Sequence, residues 1–295
     1  MRKIFFFTKG ISLALIFLLC TNQSLFAQKD NDAFQWFTAQ GKKTSYKKLI
    51  KSLQSADVVL FGELHNDPIA HWQQNRVAHA LQSPDYKLKL GFEMLERDQQ
   101  LIVSEYQQQL ISEKNFTDQA RLWPNQPTDY QPLMRWAREN KIELIATNIP
   151  RRYASLVYRK GLEGLESLSS EAKTLLAPLP INVDTTQLQY RKMKQMMGQH
   201  GGYNIVYAQA VKDATMAYFI AQQLDKNTKF IHFHGSYHSD FHEGITTYLK
   251  ALSPESKIIT IATVKQGELK KLSEEHLNQA DYVLVVADDM TNTHQ

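Results

Sequence analysis

Val58-Val59-Leu60-Phe61-Gly62-Glu63-Leu64-His65 is a run of four apolar residues that stops at a glycine and delivers a histidine three positions later. The same device returns at Phe230-Ile231-His232-Phe233-His234-Gly235-Ser236-Tyr237-His238. A short β-branched or aromatic run ending at Gly reads as a buried strand leaving its sheet. Working outward from these two, strands are expected at 57–63, 89–95, 142–148, 229–235, 257–264 and 281–288. Nearly all are continuous apolar runs, which marks strands covered on both faces and hence a parallel sheet. The gaps are long enough for crossover helices at 67–82, 96–112, 128–140 and 239–251, the last capped by Ser239 or Asp240. The expected class is α/β, a mostly parallel sheet flanked by helices.

One gap is too long for a single crossover. Residues 151–228 read as helix or turn throughout, punctuated by Pro178-Leu179-Pro180 and Gly201-Gly202. They are expected to form a helical insert beside the sheet. Its clearest helix is 203–224, where Tyr207, Val211, Ala214, Tyr218 and Ala221 recur at spacings of three and four as a core-facing stripe. Gln209, Asp213 and Met216 form a second stripe, which is either solvated or directed at the strand ends. No solenoid repeat or low-complexity tract is present.

The first 27 residues carry a different signal. Arg2 and Lys3 precede an apolar stretch, Ile11 to Leu19, and Leu25-Phe26-Ala27 offers a small residue at a cleavage point. That is the pattern of a secretory signal peptide, with cleavage expected after Ala27 and residues 28–295 left as the folded chain. A lipoprotein anchor on Cys20 is the rival, but Leu19 stands where a small residue is expected. Removing the segment takes three basic residues and no acid from a formal charge of +4, leaving +1. A nearly neutral chain has no basic face for nucleic acid. The single cysteine leaves as well, so disulfides, thiolate metal sites and cysteine nucleophiles are excluded. An exported protein, periplasmic or outer-membrane associated, is the expectation.

The strand ends gather polar residues. Glu63 and His65 end the first strand, Glu93 lies in Gly91-Phe92-Glu93-Met94, and Asn148 closes the third ahead of Arg151. His234 and His238 lie at the end of the fourth. A carboxylate inside an apolar strand end is costly to bury unless paired, protonated or bound to a cation. Histidine nitrogens and carboxylate oxygens suit a divalent metal such as Zn, Mn or Fe, with His65, Glu93, His234 and His238 as candidate ligands. The same chemistry also serves metal-free acid–base catalysis, with Glu63, His65, Glu93 and His238 as the catalytic set. His232 reads as a satisfied core residue, and His71 and His79 as structural or solvent-facing.

The insert holds a second constellation. Tyr190, Met193, Met197 and His200 fall on one helical stripe, with Met196 beside it and Tyr203 after the Gly-Gly pair. Such a stripe is either core, a dimer contact, or a surface for a flat macrocycle, because methionine adapts to irregular apolar shapes. Tyr, His and Met are all known axial haem ligands, and Arg191, Lys192 and Lys194 could meet propionates.

Five motifs occur in order: Gly62-Glu63-Leu64-His65-Asn66-Asp67, Gly91-Phe92-Glu93-Met94, Asn148-Ile149-Pro150-Arg151, Ala208-Gln209 with Asp213-Ala214-Thr215-Met216-Ala217, and His234-Gly235-Ser236-Tyr237-His238. Together they resemble the ChaN family of haem-binding, iron-regulated proteins, itself similar to the wider Tiki/TraB and erythromycin-esterase-like superfamily. The resemblance runs from about residue 45 to about 288. It implies an α/β domain with a helical subdomain, haem held between two subunits of a homodimer, and a place in envelope haem and iron uptake. Tyr190, Met193, Met196, Met197, His200 and Tyr203 are then the candidate haem contacts. Arg151, Gln209 and Asp213 support the strand-end site. The Tiki branch implies instead a metal-dependent hydrolase, working through His65, Glu93 and His238 with Glu63 in the first motif.

Overall fold

The computed structural model describes residues 32–197 and 202–294. The expected signal peptide, His200 and Gly201 lie outside the described residues. The six expected strands form within two residues of their expected bounds: β2 (Val58–Glu63), β3 (Lys87–Glu96), β4 (Glu143–Asn148), β5 (Thr228–Gly235), β6 (Ile258–Gln266) and β7 (Tyr282–Ala287). A seventh, β1 (Phe34–Thr38), precedes them. The sheet order is β1-β7-β6-β2-β5-β3-β4, with β1 antiparallel to β7 and every other pair parallel.

β2 shows why a continuous apolar run was needed. Val59 and Phe61 join one core cluster, and Val58 and Leu60 join another on the opposite face. The first face is covered by α1 (Tyr46–Leu53), α2 (Pro68–Ala80) and α5 (Gln131–Glu139), through Leu49, Val77 and Leu133 among others. Between β3 and β4 the chain also forms α3 (Gln100–Gln107) and α4 (Glu113–Gln119). Each fully buried Leu, Val or Phe contributes about 1.5–3 kcal/mol.

The stretch between β4 and β5 holds α6 (Arg151–Lys160), α7 (Ser170–Lys173), α8 (Leu188–Met197) and α9 (Asn204–Ala221). It does not stand wholly beside the sheet. Met216, Ala217 and Ile220 of α9 pack with Val58, Leu60 and Phe230, so α9 covers the second face together with α10 (Ile245–Leu252). The expected single stripe on α9 is therefore too narrow. Val211 and Ala214 are buried, but so are Ala210, Thr215, Met216 and Phe219, because α9 is enclosed between the sheet and α6. The last crossover helix also starts later than expected. Phe241, His242 and Gly244 take positive φ, the chain turns there, and neither Ser239 nor Asp240 caps α10.

The β1 edge is partly paired by the chain that follows it, where the Thr44 amide donates to the Trp36 carbonyl at 2.9 Å. The outer edge of β4 is closed by side chains of α3. Gln100 accepts from the Ala146 amide at 2.8 Å and donates to the Leu144 carbonyl at 3.1 Å. Gln107, two turns along the same helix face, accepts from the Leu144 amide at 3.0 Å and donates to the Ile142 carbonyl. Two side-chain amides thus occupy the place of a neighbouring strand.

The topology also selects a site. The chain leaves β2 towards β3 on one side and leaves β5 towards β6 on the other, although β2 and β5 are neighbours. Adjacent parallel strands whose connections diverge open a crevice at their carboxyl ends. Both Gly-x-x-His motifs end there.

Candidate functional site

Gly62 and Gly235 allow the two motifs to approach. A Cβ on Gly62 would lie 2.7 Å from the Ser236 Cα, and one on Gly235 would lie 2.8 Å from His65 Nε2. β3 contributes Glu93 through an irregularity. Its register with β4 shifts between Phe92 and Glu96, and its pairing with β5 stops at Phe92. The freed Glu93 side chain turns across and accepts from the Gly235 amide at 2.8 Å.

Glu63 is fully buried and is held by three donors. Its Oε1 accepts from Tyr130 Oη at 2.5 Å and from His65 Nδ1 at 2.9 Å, and its Oε2 accepts from Gln74 at 2.5 Å. Burial alone would raise this carboxyl, but His65, His71 and Tyr130 together hold it below the usual range. Burial likewise opposes charge on His65, while Glu63 and Glu93 outweigh it and raise the imidazole above 6.5. The ring sits edge-on to Trp123 with centroids 4.8 Å apart. Its Nε2 makes no hydrogen bond among the described residues.

His238 is clamped between two carboxylates. Nε2 lies 3.1 Å from Glu93 Oε1, and Nδ1 bonds Asp213 Oδ1. Gln209 adds a contact at 2.9 Å, and Tyr190 donates to Asp213 Oδ2 at 2.7 Å. Against the burial cost, Glu93 and Asp213 push His238 up to about 10. It is a buried imidazolium at neutral pH, and its charge in turn drives Glu93 well below the carboxylate range despite burial. α9 therefore points the Gln209/Asp213 stripe back at the strand ends.

His234 does not join this group. Its Nδ1 lies 3.0 Å from His232 Nδ1 and its Nε2 lies 2.8 Å from Ser239 Oγ. Burial and the His238 charge lower it to about 3, so it is neutral and engaged at both nitrogens. Among the described residues no group of three or more His, Asp and Glu is placed to hold a metal ion. His234, a candidate metal ligand in the sequence, thus has both ring nitrogens engaged by internal partners. His71, expected to be structural or solvent-facing, is buried and bonds the His65 carbonyl at 2.9 Å.

Two cavities of about 630 Å³ each flank the motifs and share His65, Gly235 and Tyr237 as a wall. One is lined by Leu122, Trp123, Ile149 and Met193, with Arg151, Lys212, Glu93 and His238. Neither Arg151 nor Lys212 makes an ion pair among the described residues, whereas Arg121 is held by Glu96 and Asp98. The other lies towards β6 and is lined by Asp67, Asp240, Thr263 and Lys265.

The insert residues separate. Met193 lines the first cavity. Met196 is 82% exposed, Tyr203 46% and Met197 36%. Tyr190 is only 2% exposed and faces Asp213, so it is not on the ligand-facing surface expected of it. His200 lies outside the described residues. α8 is fixed at its start by the loop after the second motif. The Glu243 carboxylate accepts from the Leu188 and Gln189 amides at 2.7 and 2.8 Å, and Tyr237 donates to the Gln189 carbonyl at 3.0 Å. The sequence reading missed Gln74, Trp123 and Tyr130. The Trp-Pro-Asn-Gln-Pro turn at 123–127 was the available signal, since prolines there fix how the chain returns to the sheet edge.

A family model described as haem-binding uptake, Tiki superfamily, ChaN, matches residues 49–249. The fold is similar to that of ChaN of Campylobacter jejuni, from a structure concerned with cofacial haem binding. The TM-score is 0.67 at 20% identity, covering 87% of this chain and 98% of that one. A Bacillus cereus protein matches with a TM-score of 0.50 at 12% identity, covering 81% and 90%. An erythromycin esterase mutant in its open conformation has a TM-score of 0.44 at 12% identity, covering 85% and 83%. No curated protein matches. At these identities the first two of these structures show the fold alone.

Proposed function

Because this chain belongs to the ChaN family of haem-binding uptake proteins in the Tiki superfamily, we propose that it binds haem in the cavity between His65 and Met193 and serves haem or iron acquisition at the cell envelope. The family match over residues 49–249 carries the reading. The cavity supports it. Trp123, Leu122, Ile149 and Met193 offer apolar surface to a flat macrocycle, and Arg151 and Lys212 offer charge to its carboxylates. When bound, haem supplies an iron that a nitrogen or oxygen donor can ligate. His65 fits that role in its neutral form, in which Nδ1 donates to Glu63 and Nε2, without a hydrogen bond among the described residues, is the free donor atom. A carboxylate behind the ligating imidazole fixes its tautomer and raises its basicity. Met196, Met197 and Tyr203 are exposed apolar side chains that a second copy of the chain would cover.

The test is a haemin titration of the purified protein followed in the Soret region. Saturable binding is expected, weakened strongly in His65→Ala and moderately in Met193→Ala. Wild-type protein that never saturates with haemin would sink the proposal. Fractionation of cells should find the protein in the envelope, without residues 1–27.

A second reading is hydrolysis at the same strand ends. It is favoured by two carboxylate–imidazole pairs, Glu63–His65 and Glu93–His238, of which His65, Glu93 and His238 line one cavity. His238, held as an imidazolium, would donate a proton rather than accept one. Turnover of an ester or amide that survives chelator and is lost in His65→Ala would establish it; an additional need for metal would favour the metal-dependent form.

A further inference from the structure

The chain expected to lack a basic face, because its charges nearly cancel, has one. From Ala33 to Ala56 it carries five lysines, Lys42, Lys43, Lys47, Lys48 and Lys51, and no acid. α1 turns Leu49 and Leu53 into the core, which leaves Lys47, Lys48 and Lys51 on its outer side. Lys47 and Lys51 are one helical turn apart and repel each other. All five lysines are exposed, and among the described residues none is in an ion pair, whereas Lys89, Lys114, Lys173 and Lys265 are.

α2 continues this face, since Pro68 to Ala80 contains no acid either. Its exposed Arg76 lies 4.6 Å from the ring centre of Tyr46 on α1 and 5.1 Å from that of Trp72. Arg76 too has no ion pair among the described residues. Trp72 is 44% exposed and meets Phe34 edge-on at 5.7 Å. Tyr46, Trp72, Asn75, Arg76 and His79 line a groove of about 550 Å³. The face therefore joins unpaired cations to aromatic rings that are part apolar and part wet. Indole and phenol rings of that kind sit at the headgroup level of a bilayer, and an arginine without a carboxylate suits a phosphate. A single-stranded nucleic acid would use the same groups, but the expected export takes the chain away from it.

We propose that the face formed by α1 and α2 docks this protein onto a bilayer containing anionic phospholipid, with the lysines over the headgroup phosphates and Trp72 entering the interface. The inference rests on the envelope part of the proposed function and not on haem, because the groove and the haem cavity share no residue.

Sedimentation with vesicles tests it, using phosphatidylcholine alone and phosphatidylcholine mixed with phosphatidylglycerol. Binding is expected on the anionic vesicles only, and high salt should release it. Lys47→Gln with Lys48→Gln and Lys51→Gln should weaken it about a hundred-fold, at about five-fold per lysine. Lys160→Gln with Lys226→Gln and Lys250→Gln removes the same charge from exposed positions elsewhere and should leave binding within about two-fold of wild type. Glutamine replaces lysine in a helix at little cost, so both variants should fold, which thermal melting checks. Tryptophan emission should move to shorter wavelength on the anionic vesicles, and Trp72→Phe should abolish the shift. The proposal is overturned by equal partition into both kinds of vesicle, by a folded α1 variant that binds as the wild type does, or by a second variant that loses as much as the first. Tighter binding of oligothymidylate than of anionic vesicles at the same salt would also overturn it and give the face to nucleic acid. None of these outcomes touches the haemin titration, so the two readings fail separately.

Discussion

At the scale of single residues, the strand-end site is a balance of buried charges. His238 is the cation on which Glu93 and Asp213 both depend. His238→Ala should therefore destabilise the fold by about 3–5 kcal/mol, since it leaves two buried carboxylates unpaired. Adding Glu93→Gln should return part of that loss in chemical denaturation. The pH dependence follows from the raised folded-state value. His238 contributes stability that is complete below its ordinary 6.5 and is lost as pH rises towards about 10. Glu93 is depressed from 4.5, so its contribution is present above that value and is lost as pH falls. Melting temperature should fall on both sides of neutrality, and the alkaline limb should flatten in His238→Gln. Gly235→Ala is a different case. Its backbone suits alanine at φ −59°, but the new methyl would crowd His65 Nε2 at 2.8 Å. It should weaken haemin binding at least ten-fold while the melting temperature moves little, because His65 is at the cavity wall and has room to swing out.

At the scale of elements, α8 is held at its start by a carboxylate from another part of the chain. Glu243 caps two of its first amides, so Glu243→Ala should cost about 0.5–2 kcal/mol. The loss should appear as faster amide exchange across 188–197, with the strands of the sheet unaffected; uniform acceleration in all elements would refute a local cap. This clasp shows where the sequence was readable and where it was not. The six parallel strands were legible because strands buried on both faces are apolar throughout, and Val58 to Phe61 have no other reading. β1 was not, because only Trp36 and Phe37 in it are buried, and Gln35 and Thr38 interrupt the apolar run. Glu63, His65, Glu93 and His238 stood out as polar residues at apolar strand ends. Tyr130 did not, because nothing local in the sequence says that it crosses 67 positions to reach Glu63. The partners of His234 were hidden for the same reason: its place on the strand was evident, but its two internal contacts were not.

At the scale of the whole molecule, Met196, Met197 and Tyr203 are exposed and not in the core. If haem is shared there between two copies, light scattering should show a mass that doubles when haemin is added and reverts when it is extracted. Met196→Ser with Met197→Ser should keep the protein monomeric under the same conditions. The two glutamines of α3 carry a separate consequence. An open sheet edge is a template on which any extended chain can add itself, including another copy of the same protein. Gln100 and Gln107 fill that template with groups that cannot themselves be extended further, because each amide belongs to a side chain with no next residue. The sheet cannot be extended beyond β4 for this reason, and at that edge two side chains keep a protein crowded among its own copies from adding strand to strand.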